Sequence, residues 1–110
     1  MEANKRYLEN IGYEKFENFI AMIAGKWKLR IIFLLAVNGV LRYGELKKLM
    51  NSITHKMLTN QLKELEKDGL VFRNAFNQVP PKVEYSLTDK AKDLNLMGKE
   101  IHDWICKYNV

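Results

Sequence analysis

Apolar residues recur at three- and four-residue spacing over most of this chain, and the breaks in that spacing divide it into predicted elements. From Glu14 to Ile23, Phe16, Phe19, Ile20, Met22 and Ile23 fall at helical spacing, and Gly25 separates this helix from the next. Trp27 to Val37 is apolar on nearly all sides, through Leu29, Ile31, Ile32, Phe33, Leu34 and Leu35, which predicts a helix at the centre of a core. Asn38-Gly39 ends it, and Val40-Leu41-Arg42 is read as a short strand that joins a later sheet. Tyr43 to Met50 predicts a third helix with Leu46, Leu49 and Met50 on its buried side, and Asn51-Ser52-Ile53 makes a turn. A fourth helix starts at Thr54, whose hydroxyl can cap the first turn, and runs to Asp68, where Gly69 stops it. Leu70 to Phe76 and Val83 to Leu87 are strand-like, and the six residues Asn77 to Lys82 between them form a hairpin tip stiffened by Pro80 and Pro81. Thr88-Asp89 caps a last helix along which Leu94, Met97, Ile101, Trp104, Ile105 and Tyr108 form an apolar stripe.

Helix, tight turn, second helix and hairpin is the order of a winged helix-turn-helix. The expected fold is therefore mainly α (α+β), with a two- to three-stranded antiparallel wing sheet and N- and C-terminal helices available for dimerisation. One domain of residues 1–110 is expected: an arm at 1–13, core and dimer helices at 14–37, the helix-turn-helix at 42–68, the wing at 70–87 and the C-terminal dimer helix at 88–109. The fourth helix has two unlike faces. Met57, Leu58, Leu62 and Leu65 fall on one side, while His55, Lys56, Thr59, Asn60 and Lys63 present donors, acceptors and positive charge on the other, a face that suits a major groove. Thr54 and Lys56 are expected to hold phosphates, and His55, Thr59, Asn60 and Lys63 to meet base edges. Arg42 at the head of the unit and Arg73, Asn77, Gln78 and Lys82 of the hairpin complete the candidate DNA-binding set, the hairpin groups serving phosphates or the minor groove.

These stretches resemble the HxlR-type family of bacterial winged helix-turn-helix transcription regulators. The resemblance is carried by Gly25-Lys26-Trp27, by Leu41-Arg42-Tyr43-Gly44-Glu45-Leu46, by Ile53-Thr54-His55-Lys56-Met57-Leu58-Thr59, and by Leu62 through Val71. Its most specific part is Val79-Pro80-Pro81-Lys82-Val83-Glu84-Tyr85-Ser86-Leu87-Thr88. It implies a DNA-binding regulator. Many members of the family carry a Cys-Pro pair ahead of the first core helix; here Glu14 and Lys15 stand in its place, which argues against thiol-based sensing by that route.

Lys and Arg outnumber Asp and Glu by 18 to 13, a net charge of +5 that fits an anionic partner without identifying one. The single cysteine, Cys106, excludes an intramolecular disulfide, and no apolar run approaches the ~20 residues needed to span a bilayer, so a soluble cytoplasmic protein with no membrane partner is expected. A glycine-rich phosphate loop, a His-Glu-x-x-His pattern and a nucleophile beside a partnered base are all missing, so an enzyme is not expected, nor is a cofactor. His102 and Cys106, four residues apart on one helix, would supply four zinc ligands across a dimer, but lack the Cys-rich knuckle usual in structural zinc sites. No metal is expected, and Cys106 is read as a small buried hydrophobe. The stripe of the last helix is longer than one small core needs, so Ile101, Trp104, Ile105 and Tyr108 are assigned to a homodimer interface that meets Phe16 and Phe19. Expected partners are thus double-stranded DNA, a second copy of the chain and an unidentified small-molecule effector. Against this stands a winged-helix module that uses the same basic face to bind protein or RNA.

Overall fold

The computed structural model describes residues 5, 6, 9 and 12–109, so most of the expected N-terminal arm lies outside the described residues. From Tyr13 onward the order is α1 (Tyr13–Ile23), α2 (Lys28–Asn38), β1 (Val40–Arg42), α3 (Tyr43–Met50), α4 (His55–Lys67), β2 (Val71–Phe76), β3 (Lys82–Leu87) and α5 (Asp89–Tyr108). The three strands form one antiparallel sheet in the order β1-β3-β2. This is the winged helix-turn-helix architecture.

The core is built where α2, α3, α4 and the sheet converge. Ile31 and Leu35 of α2, Leu46 and Met50 of α3, Ile53 of the turn and Leu58, Leu62 and Leu65 of α4 are buried together with Leu41, Leu70 and Val71. Two short devices set the angle at which α4 leaves this core. At its start the Thr54 hydroxyl accepts a hydrogen bond from the Met57 amide at 3.1 Å, satisfying a donor that the helix itself cannot. At its end the Leu70 amide donates to the Leu65 carbonyl and the Gly69 amide to the Glu66 carbonyl, the paired bonds of a Schellman stop. That stop requires a left-handed residue, and Gly69 supplies it with φ of 73°. Thr88 then ties the wing to α5. Its hydroxyl donates to the Gly69 carbonyl at 2.6 Å and accepts from the Ala91 amide at 3.2 Å.

Several burial expectations are corrected. Leu49, placed on the inner side of α3, is 53% exposed, and Met57, placed on the apolar side of α4, is exposed as well. The helix expected at the centre of the core, α2, buries Ile31, Ile32 and Leu35 but leaves Leu29, Phe33 and Val37 in the open, Phe33 at 64% exposure. A single chain has only one layer to place against α2, so the opposite side of an all-apolar helix stays uncovered. The same holds for α5, where Ala91 is buried and Leu94 half-buried, while Met97, the next residue of the apolar stripe, is exposed. Cys106 is exposed as well, not a buried hydrophobe. It lies one residue past Ile105, a rotation of about 100° that takes it off the apolar stripe.

The C-terminal half of α5 leaves the body of the molecule. A chain of this length packed as one ball has a radius of gyration of about 13 Å; here it is 16.5 Å, with extents of 60 × 30 × 23 Å. Between α1, α2 and α5 runs an apolar groove of about 280 Å³, lined by Phe19, Ile23, Phe33, Leu94, Met97 and Ile101 among others. No helix among the described residues is long and apolar enough to cross a membrane.

Candidate nucleic-acid interface

The turn between α3 and α4 is tight because Asn51, with φ 52° and ψ −68°, is the centre of a γ-turn in which the Ser52 amide donates to the Met50 carbonyl at 2.6 Å. Burial of Ile53 directly behind it fixes the turn to the core. The entry to α3 is held by the Glu45 carboxylate, which accepts a hydrogen bond from the Arg42 amide at 2.9 Å. With both ends anchored, the outer face of α4 is a fixed platform. His55, Lys56, Asn60 and Lys63 are exposed on it, and Thr59 is half-buried.

Register places the wing beside this platform. Arg73 of β2 pairs with Tyr85 of β3, and Tyr85 is buried against the core, so the strand face bearing Arg73 looks toward α4. The result is a cleft of about 650 Å³ in which His55, Thr59, Lys63 and Glu66 of α4 face Arg73. Arg42 lies exposed at the far edge of the sheet, opposite Glu84. Asn77 and Gln78 are exposed at the wing tip.

Several of the expected contact groups already have partners, among them Thr54, whose hydroxyl accepts from the Met57 amide, and His55, whose Nδ1 lies 2.9 Å from the Tyr43 hydroxyl; two cases change the expected role. Lys82 is not part of the tip but the first residue of β3, paired with Phe76. Its ammonium lies 2.7 Å from the Glu84 carboxylate and 4.8 Å from the centre of the Phe76 ring, so the pair presents little net charge to a phosphate. The two residues are two apart on a strand and so share a face. Thr59 is the second case, its hydroxyl lying 3.2 Å from the Tyr43 hydroxyl. Tyr43 was not among the expected site residues, yet it reaches both His55 and Thr59 across twelve and sixteen residues of chain. Of the expected interface set, Phe19 and Ile101 meet at the apolar groove, while Phe16, Trp104, Ile105 and Tyr108 are exposed outside it.

The profile of the HxlR-like helix-turn-helix family matches residues 22–110. The chain belongs to that family. It is 49% identical over 104 residues to an HTH-type transcriptional regulator of Halalkalibacterium halodurans, covering 94% of this chain and 92% of the relative. It is 48% identical over 89 residues to the HTH-type regulator YdzF of Bacillus subtilis, covering 81% and 82%. Among solved structures it superposes on the redox regulator HypR in its oxidised form with a TM-score of 0.74 and 40% identity, over 84% of this chain and 95% of that one. The protein is thus a DNA-binding transcription regulator with a winged helix-turn-helix, and its relatives are regulators, not enzymes.

Position 14 is Glu, and the single cysteine, Cys106, stands exposed on α5 with its sulfur 3.7 Å from Nε2 of His102. Among the described residues no three His, Cys, Asp or Glu side chains gather as a metal site would require.

Proposed function

We propose that this regulator binds double-stranded DNA as a homodimer and reads a pseudo-palindromic operator with one α4 in each of two successive major grooves, about 34 Å apart. The observation that carries the DNA half of the reading is the cleft that sets Arg73 of the wing against the outer face of α4, where Lys56, Asn60 and Lys63 stand exposed. Asn60 is the candidate for a bidentate contact to adenine and Lys63 for donation to guanine. Lys56 and the hydroxyl proton of Thr54 serve phosphates, as do Arg73, Asn77 and Gln78 from the wing. Thr59 is reassigned to holding Tyr43, because its hydroxyl is already engaged there.

The dimer half rests on the uncovered apolar surface. Phe33 and Leu29 of α2, Phe16 of α1 and Met97, Ile101, Trp104 and Tyr108 of α5 are all exposed in the single chain. Contiguous apolar surface of this kind marks an interaction site, and a symmetric partner that offers the same helices covers it with like surface.

A salt titration tests the DNA assignment. Binding to duplex should weaken linearly in log–log form, with a slope near −0.9 for each neutralised phosphate. Lys56→Ala should reduce the magnitude of that slope by about one unit per chain bound. Removing both charges, Lys82→Ala with Glu84→Ala, should change it little, because the two already offset each other. Tighter binding to single-stranded RNA than to duplex would favour the RNA-binding module instead. An effect of that double variant as large as that of Lys56→Ala would restore Lys82 as a phosphate contact.

A further inference from the structure

The Tyr43 hydroxyl is the polar group of α3 that crosses to the recognition face. Its oxygen lies 2.9 Å from Nδ1 of His55, 3.1 Å from the main-chain carbonyl oxygen of His55 and 3.2 Å from Oγ1 of Thr59. The Tyr43 and His55 rings are stacked, with 12° between their planes and 5.6 Å between centres, so the imidazole is held in orientation as well as in place.

A phenol has one proton to donate and lone pairs with which to accept, while a carbonyl oxygen only accepts. If the Tyr43 proton went to His55 Nδ1 or to Thr59, two acceptor oxygens would face each other at 3.1 Å with no hydrogen between them. All three contacts are satisfied only when Tyr43 donates to the His55 carbonyl and accepts from both the Thr59 hydroxyl and Nδ1–H of His55. A neutral imidazole carries a single N–H. Held at Nδ1, that hydrogen leaves Nε2 as a bare lone pair on an exposed side chain, and no hydrogen bond among the described residues uses Nε2.

We propose that Tyr43 fixes His55 as its Nδ1–H tautomer, so that the first residue of the recognition helix presents an acceptor and selects a base with an exocyclic amino group, cytosine N4 or adenine N6. Guanine N7 and O6 and thymine O4 are acceptors in the major groove and repel a bare nitrogen. The inference rests on the DNA-binding reading above and deepens it. It makes Tyr43 a positioning residue that never touches DNA yet sets one letter of the operator. Without the phenol, nothing in this network prefers one imidazole tautomer, and His55 would meet amino and keto edges with either nitrogen form.

Ring-nitrogen NMR of the DNA-free protein at about pH 8.5, some two units above the ordinary imidazole pKa, reads the tautomer directly. Wild type should show Nδ1 protonated and Nε2 bare. Tyr43→Phe keeps the stacked ring and removes only the hydroxyl, and should move His55 to a mixture or to the Nε2–H form. Thr59→Val should leave the Nδ1–H form in place, because the phenol-to-carbonyl bond is untouched. Selection from randomised duplex then reads the consequence. Wild type should enrich adenine or cytosine over guanine and thymine about tenfold at one position per half-site. Which of the two is enriched identifies the base. Tyr43→Phe should lose that preference with its salt slope unchanged. A wild-type Nε2–H tautomer overturns the proposal whatever the DNA results, as does an unaltered base preference in Tyr43→Phe. Failure of wild type to bind any duplex, with the Nδ1–H form present, contradicts the DNA-binding reading and takes the base-selection half with it.

Discussion

Trp104→Asp is expected to yield folded monomers that bind the operator far more weakly than any variant altered on the DNA-facing side of α4. Trp104 is 56% exposed, and among the described residues its ring meets that of Tyr108 on the same helix, tilted by 45° with ring centres 5.1 Å apart. The fold of one chain therefore loses little when it is replaced. The proposed dimer loses much more. Burying a large side chain is worth about 2 kcal/mol, and a symmetric interface counts it twice. About 4 kcal/mol corresponds to roughly a thousandfold in the dimer dissociation constant. Loss of the paired half-site contact follows from loss of the dimer. Sedimentation with circular dichroism as the control for folding measures this. A Trp104→Asp protein that remains a dimer would place the interface elsewhere on the molecule.

Asn60→Ala is the second large effect expected, confined to the operator. The Asn60 amide is exposed at the centre of the outer face of α4, and a bidentate pair with adenine discriminates by about 1–3 kcal/mol per contact. Affinity for the selected operator should fall by that amount per half-site, while affinity for random duplex stays near wild type, since non-specific binding is carried by phosphate charge. Equal losses on both kinds of DNA would make Asn60 a backbone contact.

Much of this architecture is legible along the chain because the deciding signals are local. Thr54 and Gly69 bound α4 by capping chemistry that acts within one turn, and both ends were placed to within a residue. The hairpin and the pairing of Val40-Leu41-Arg42 with it were legible from strand composition and flanking turns. What was missed was long-range or depended on the depth of packing. Nothing in the sequence near Tyr43 announces that its hydroxyl reaches residues twelve and sixteen positions away. Leu49 and Met57 share the helical phase of buried neighbours, yet the strip of each helix that touches the core is narrower than its apolar face. The apolar circumference of α2 pointed to a buried helix, and in one chain only half of it is covered. The Lys82–Glu84 pair had a usable signal, since residues two apart on a strand face the same way.

If two copies of α4 engage one operator from the same face of the duplex, affinity depends on the spacing of the half-sites. About five base pairs inserted between the half-sites rotate one of them by half a turn, and about ten return it to the original face. Affinity should fall by about tenfold or more for the half-turn insertion, with no such loss when a single half-site is the target. Affinity that is indifferent to the half-turn insertion would contradict engagement from one face.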